Sequence, residues 1–363
     1  MANILHKWLF LLILFLPALA LKAQAPSGEP VADTVPAYQK LYNKALTFID
    51  SGQYKEALPV LKKVLKENKE FYKAHTKMAL IYLNQKDYKE AEKSLKKSEV
   101  LMPLDLETQK IKALVFYNTN KFKESKSALD TAIMLARDEK VDDPDLFYYR
   151  AQLAFKGKSY KSAMEACEVA LEFNPKYIPA IMLKAEIRFT AKEYNYAIKE
   201  LNEVIKLTSA EKPDYSAYKL RAQCRFETGD YKGCITDWNV YIDGMPGEEE
   251  ALISRAAALI NTNDNSKAIA DLDEAIKINK KNPVSYCYRG VAKGGNKVYT
   301  EGLADLDYAI KLKFDYGAAY VNRAAIKMAL KQKEEACKDL HKADSLGDNL
   351  APNLIEKYCK GSR

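Results

Sequence analysis

The chain has 363 residues, 48% of them hydrophobic and 29% charged, with a formal net charge of +8. That balance excludes a disordered polypeptide and leaves ample length for a large core or a repeat array. Three histidines (His6, His75, His341) and six cysteines without a C-x-x-C pair speak against a metal-binding protein.

Residues 1–25 begin with basic Lys7, continue in an apolar run from Trp8 to about Leu21, and end in small residues. The run is short for a bilayer, which takes about 20 apolar residues. It reads as a secretory signal peptide cut near Ala23 or Ala25, with an uncleaved anchor helix as the alternative. No cysteine follows it, so a lipoprotein is not supported. No later segment is apolar enough to span, so the mature chain is expected to be soluble and exported, periplasmic or secreted. Nucleic acid is a poor partner for such a protein. Residues 26–36 form a short flexible lead rich in proline.

From residue 37 the chain repeats. An aromatic slot falls at Tyr54, Tyr88, Phe122, Tyr160, Tyr194, Tyr231, Asn265, Tyr299 and Lys333, with asparagine and lysine as the two exceptions. The steps are 34, 34, 38, 34, 37, 34, 34 and 34 residues. A fixed period of this size marks a repeat architecture. Nine residues before each anchor stands alanine, or glycine at Gly290; three after it stands another small residue, from Ala57 to Ala336. Seven after it stands leucine, except for Cys167 and Trp238. Apolar residues at three- and four-residue steps on both sides predict two amphipathic helices per copy, split by a turn such as "GQY". Paired small residues let two helices approach, and the ring after the turn fills the wedge to the next hairpin. A hairpin of this kind cannot bury its apolar face alone, so the copies are expected to stack. Asn265 and Lys333 predict looser joints, and the longer connections at 137–145 and 208–214 predict shifts in the stacking.

The period, the "G-x-Y-x-x-A" turn and the closing prolines Pro103 and Pro175 resemble the tetratricopeptide repeat family over residues 37–345. The resemblance implies an all-α fold: a right-handed superhelical αα-hairpin solenoid of about nine repeats. Residues 346–363 then read as a C-terminal cap helix and tail, with Ala351, Leu354, Ile355 and Tyr358 on one face.

Two further patterns stand in register. Arginines at 150, 221, 255, 289 and 323 lie ten before an anchor, and aspartates at 237, 271, 305 and 339 lie six after one. They read as a ladder of ion pairs within the array rather than a ligand site. Cys337 opens the last second helix and Cys359 closes the cap helix running back against it, which predicts a disulfide stapling the cap. Cys224 and Cys234, flanking one turn, are a weaker second pair.

Enzyme motifs are absent: "GVAKGG" at 290–295 follows no strand, and no G-x-x-x-x-G-K-[ST], H-E-x-x-H or G-x-S-x-G occurs. No catalytic, cofactor or metal residue is therefore assigned. By resemblance to the family, the first helix of each hairpin lines a concave groove, at slots twelve, eight and five before the anchor. In the central copies these hold Tyr148, Gln152 and Phe155, then Met182, Glu186 and Phe189, then Lys219, Gln223 and Phe226. The family's clamp for C-terminal carboxylates uses lysine and asparagine, where the first copy has Tyr42 and Leu46, so that clamp is not expected. The expectation is a non-enzymatic scaffold holding a protein or peptide in the groove. The rival is an accessory protein drawn to an anionic membrane or polymer by the basic first third, where residues 26–140 carry 21 Lys+Arg against 16 Asp+Glu.

Overall fold

A computed structural model describes residues 35–208 and 211–359. The expected signal peptide and most of the lead lie outside the described residues. These hold nineteen α-helices and no strand. In pairs they are α1 (Ala37–Asp50) and α2 (Tyr54–Glu67), α3 (Tyr72–Asn84) and α4 (Tyr88–Leu101), and α5 (Leu106–Asn118) and α6 (Phe122–Asp138). Then follow α7 (Pro144–Lys156) and α8 (Tyr160–Phe173), α9 (Ile178–Thr190) and α10 (Tyr194–Leu207), and α11 (Tyr215–Glu227) and α12 (Tyr231–Gly244). The last are α13 (Glu249–Asn261) and α14 (Asn265–Ile278), α15 (Pro283–Gly295) and α16 (Tyr299–Leu312), α17 (Gly317–Ala329) and α18 (Lys333–Ser345), and a cap, α19 (Ala351–Tyr358).

The chain forms two compact units, residues up to Ala74 and residues from His75 onward. In the first, α1 packs on α2 with Ala45, Ala57, Leu61 and Val64 fully buried. Phe71 packs tilted against Tyr38 and edge-on against Tyr42, with ring centroids 5.2 and 4.9 Å away. In the second, hairpins stack in succession as an all-α solenoid, and first helices also touch first helices, as in α7 with α9 and α9 with α11.

Every anchor of the repeat is the first residue of a second helix, from Tyr54 at α2 to Lys333 at α18. Two residues before each anchor the backbone turns left-handed, with φ between 58° and 80°. The next residue then donates its N–H five residues back, as Asp87 does to the Tyr82 carbonyl and Glu193 to Arg188. This closes each first helix with a Schellman turn. Glycine fills the left-handed slot only at Gly52 and Gly229; the other joints use lysine or asparagine. A non-glycine residue there costs about 1–2 kcal/mol, against about 0.5–1 kcal/mol for the extra freedom glycine loses on folding. Lys192→Gly and Lys297→Gly are each expected to raise stability by about 0.5–1 kcal/mol. A lower melting temperature for both would contradict this account of the turn.

The small slots are buried in all nine hairpins. Contact between α15 and α16 is close: a Cβ on Gly290 would stand 2.8 Å from the Gly302 carbonyl oxygen. The joint at Asn265 is not loose, contrary to the sequence expectation. Asn265 is buried, and its amide occupies the space a side chain on Gly295 would take. A bare glycine across the joint does what a ring does elsewhere. Lys333 is exposed, as its chemistry requires.

The arginine–aspartate ladder forms in four hairpins. Arg221, Arg255, Arg289 and Arg323 each grip Asp237, Asp271, Asp305 and Asp339 through Nε and Nη2 at 2.5–2.9 Å. The aspartates are buried; Asp237 is 1% exposed. Each Nη1 reaches back to the preceding hairpin, at Asn202, Asn239, Asp273 and Asp307 respectively. The ladder therefore ties hairpin to hairpin as well as helix to helix. Arg150 stands outside it: it is exposed, and Ala166 occupies the aspartate slot of its hairpin.

At the C-terminal end, Cys337 and Cys359 are joined by a disulfide, with Cα atoms 5.8 Å apart. Ala351, Leu354 and Ile355 pack on the core of the last hairpin, whereas Tyr358 is exposed and lies outside the apolar face expected for it. Cys224 and Cys234 are not bonded to each other; both are buried free thiols, pushed up to about 12 by burial. Closing a loop of 22 residues contributes about 3 kcal/mol in the chain-entropy account. Cys359→Ser is accordingly expected to speed amide exchange in α19 and α18 by about a hundredfold and leave α7–α12 unchanged. Exchange in α19 that does not respond would show that apolar packing alone holds the cap.

Candidate functional site: the inner face of the first helices

The twelve-, eight- and five-before slots recur at helical spacing in each first helix, and contacts of α5 with α7, α7 with α9 and α9 with α11 set those of the central copies side by side. The eight-before row reads Gln152, Glu186, Gln223, Ala257; the five-before row reads Tyr117, Phe155, Phe189, Phe226, Ile260. Up to the α13 copy, which has Ala257 and Ile260, one row is amide and carboxylate and its neighbour is aromatic.

The aromatic row is only half free. Phe155, Phe189 and Phe226 each pack edge-on or tilted against the anchor of their own hairpin, Tyr160, Tyr194 and Tyr231, at 5.4–5.8 Å. Their backs belong to the hairpin cores, as do those of Tyr148 and Met182. What stays accessible is one face of each ring.

The structure brings Phe189, Gln223 and Phe226 into one open pocket of about 280 Å³. Glu227, Ile253, Ser254, Ala257 and Tyr288 complete its walls, with buried Trp238 among its lining. Trp238 and Tyr288 were invisible as groove residues, because neither occupies one of the three slots assigned to the groove. The one sequence signal was tryptophan at a position that is leucine in seven copies and cysteine in one.

The remaining candidates lie elsewhere on the face. Gln152 Nε2 donates to Tyr148 Oη at 2.7 Å, and burial pushes the Tyr148 phenol up to about 12, so it stays neutral. Lys219 is committed within the array: it pairs with Glu248 at 3.3 Å and Glu250 at 3.9 Å and lies over the Tyr241 ring. Glu186 is exposed, yet the surrounding groove wall raises its carboxyl above the ordinary range.

Three larger cavities, about 580, 610 and 440 Å³, contain none of the nine groove residues. The first is lined by ladder residues Arg255, Asp271 and Asn239, whose charges are already matched. A cluster of hydroxyls, Thr76, Ser98 and Thr108, with 2.7–3.1 Å between oxygens, is too buried to meet a substrate. No group of three or more His, Cys, Asp or Glu suited to a metal occurs among the described residues, and no described helix is long and apolar enough to cross a membrane.

Family profiles described as tetratricopeptide repeat match residues 48–115, 112–178 and 249–282. No curated protein matches the chain in sequence. Among solved structures it is similar to PilW, a type IV pilus biogenesis factor (TM-score 0.54, 16% identity, 60% of this chain and 98% of that one). It is also similar to pilF of Pseudomonas aeruginosa (0.52, 16%, 59% and 95%). A third likeness is to the C-terminal part of a TPR repeat-containing protein from Cytophaga hutchinsonii (0.54, 14%, 68% and 98%). At these identities the likeness is one of fold.

Proposed function

The chain is a tetratricopeptide-repeat protein, and on that premise we propose that it is a non-enzymatic, exported scaffold holding a protein or peptide along the inner face of its first helices. The observation that carries this is the pocket at Phe189, Gln223 and Phe226. It is open, apolar-walled and sited where copies differ from one another, while the slots shared by all copies are buried in packing. Its volume falls below the usual range for small-molecule sites and suits one large side chain of a peptide. Export rests on residues 1–25, and a disulfide at Cys337–Cys359 accords with an oxidising compartment.

The test is affinity capture from envelope extracts with wild type and with Phe155→Asp/Phe189→Asp, both checked by thermal melt. Gln223→Arg serves as a milder variant that spares the Phe–Tyr packing. Loss of the same partners from both variants is expected. Unchanged recovery with both would place binding elsewhere.

A second reading has its own observation. Lys89, Lys93 and Lys96 form an exposed stripe on α4 that runs into Val100, Leu101, Met102 and Leu104, all exposed, with Val100 at 83%. Cations beside bare apolar side chains suit an anionic lipid surface. Vesicle co-sedimentation that persists after Lys93→Glu/Lys96→Glu would sink it.

A further inference from the structure

Resting on the groove reading above, we propose that the partner segment carries one lysine or arginine near a large apolar side chain. The apolar side chain enters the pocket walled by Phe189, Phe226 and Ile253, and the basic one pairs with Glu186.

The argument begins with charge. The inner slots of the three central hairpins hold two charges, Glu186 and Lys219. Lys219 is neutralised by Glu248 and Glu250. The cations on the helix of Glu186 turn away from it: Lys184 and Arg188 share Glu200, at 3.5 and 3.4 Å, and Arg188 lies over the Tyr196 ring. Among the described residues no cation or hydrogen-bond donor pairs with the Glu186 carboxylate. Glu186 is exposed, so an incoming cation can reach its carboxylate, and the pairing adds a charge match that the face itself does not supply.

The surroundings suit a basic side chain. Tyr148, whose phenol is raised first by burial and further by nearby charges including Glu186, stays neutral beside an incoming ammonium or guanidinium, whereas the Tyr117 ring already carries Lys156 at 5.7 Å. Gln152 and Gln223 flank Glu186 along its row, and amides can both donate to and accept from the backbone of an extended segment.

Spacing sets the motif. Glu186 lies one helical turn from Phe189, about 5–6 Å along the face. An extended chain rises about 3.3 Å per residue. That distance is about two residues of extended chain, and the long flexible stem of lysine or arginine widens the window to roughly two to four positions from the apolar residue. The chain as a whole carries +8, which repels a uniformly basic ligand. A single basic residue in a neutral or acidic segment fits better.

The test is selection of a phage-displayed random-peptide library on the full chain, followed by fluorescence anisotropy. The probe is one selected peptide, made with lysine and with norleucine at the basic position. Wild type is expected to enrich Lys or Arg two to four residues from Phe, Trp, Leu or Met. Glu186→Gln should weaken the lysine peptide about tenfold and leave the norleucine peptide unchanged, and Glu186→Lys should shift selection toward Glu or Asp. Selection without a basic preference, or equal weakening of both peptides, overturns the pairing. Ile253→Gln separates the two claims. Apolar peptides lost with that variant but indifferent to position 186 leave the groove reading standing without the pairing. Peptides indifferent to both variants remove the groove reading as well.

Discussion

Arg255→Met is expected to destabilise the protein by about 3–5 kcal/mol, whereas Arg289→Met costs about 1.5–3 kcal/mol. The two arginines sit in the same slot and make the same bidentate grip on a buried aspartate. The difference lies four residues along the helix. Asp305 keeps a second cation, Lys293 at 2.9 Å, and Asp237 and Asp339 have Arg225 and Lys327 in that place. At the corresponding position beside Asp271 stands Leu259, so removing Arg255 strands a carboxylate that is 8% exposed. An unpaired buried charge costs more than the pair contributed, which predicts that Arg255→Met/Asp271→Leu recovers most of the loss. Urea unfolding, with amide exchange in α13 and α14, measures both. Equal losses at the two positions would mean that the second cation has no part in holding the aspartate.

Trp238→Ala carries the other large effect, a loss of about 3–5 kcal/mol. The indole is among the largest fully buried side chains and lies in the leucine slot of its hairpin. It meets Tyr241 edge-on at 5.6 Å. Tyr241 Oη donates to Glu248 at 2.8 Å, and Glu248 accepts Lys219. One ring therefore supports contacts among α11, α12 and α13 and also lines the inner pocket. Trp238→Leu restores the residue found in that slot in most other copies and should cost less than half as much. Stability unchanged by Trp238→Ala would show that the α12–α13 joint is held by other contacts.

The repeat was legible because packing constrains it: a side chain larger than alanine or glycine seldom fits nine before or three after an anchor, so composition at those slots reports helix contact directly. The turn was legible only where glycine marks it. Lys86, Lys158 or Lys192 give no sign of a left-handed backbone, since that conformation is imposed by the two helices being joined. The pairing of Arg289 with Asp305 followed from register, but its third bond to Asp273 depends on how one hairpin stacks on another. Asn265 was misread for the same reason, because the room it fills is made by Gly295 on the next helix. The proposed cysteine pair at the cap followed from antiparallel geometry. That argument fails for Cys224 and Cys234, whose side chains both turn into the core. In the groove, slot positions could be assigned, but which faces remain open could not. That outcome rests on ring packing against Tyr160, Tyr194 and Tyr231 and on the commitment of Lys219 to Glu248.

The central claim is that the repeated residues are architecture and that binding resides in the inner slots that change from copy to copy. Partner recovery and thermal melting, measured side by side on Gln223→Arg and Arg289→Met, test it most directly. Gln223→Arg should lose the partner and melt with wild type, while Arg289→Met should melt earlier and, below its transition, retain the partner. The reverse assignment, with the partner lost from the ladder variant and kept by the groove variant, would contradict it.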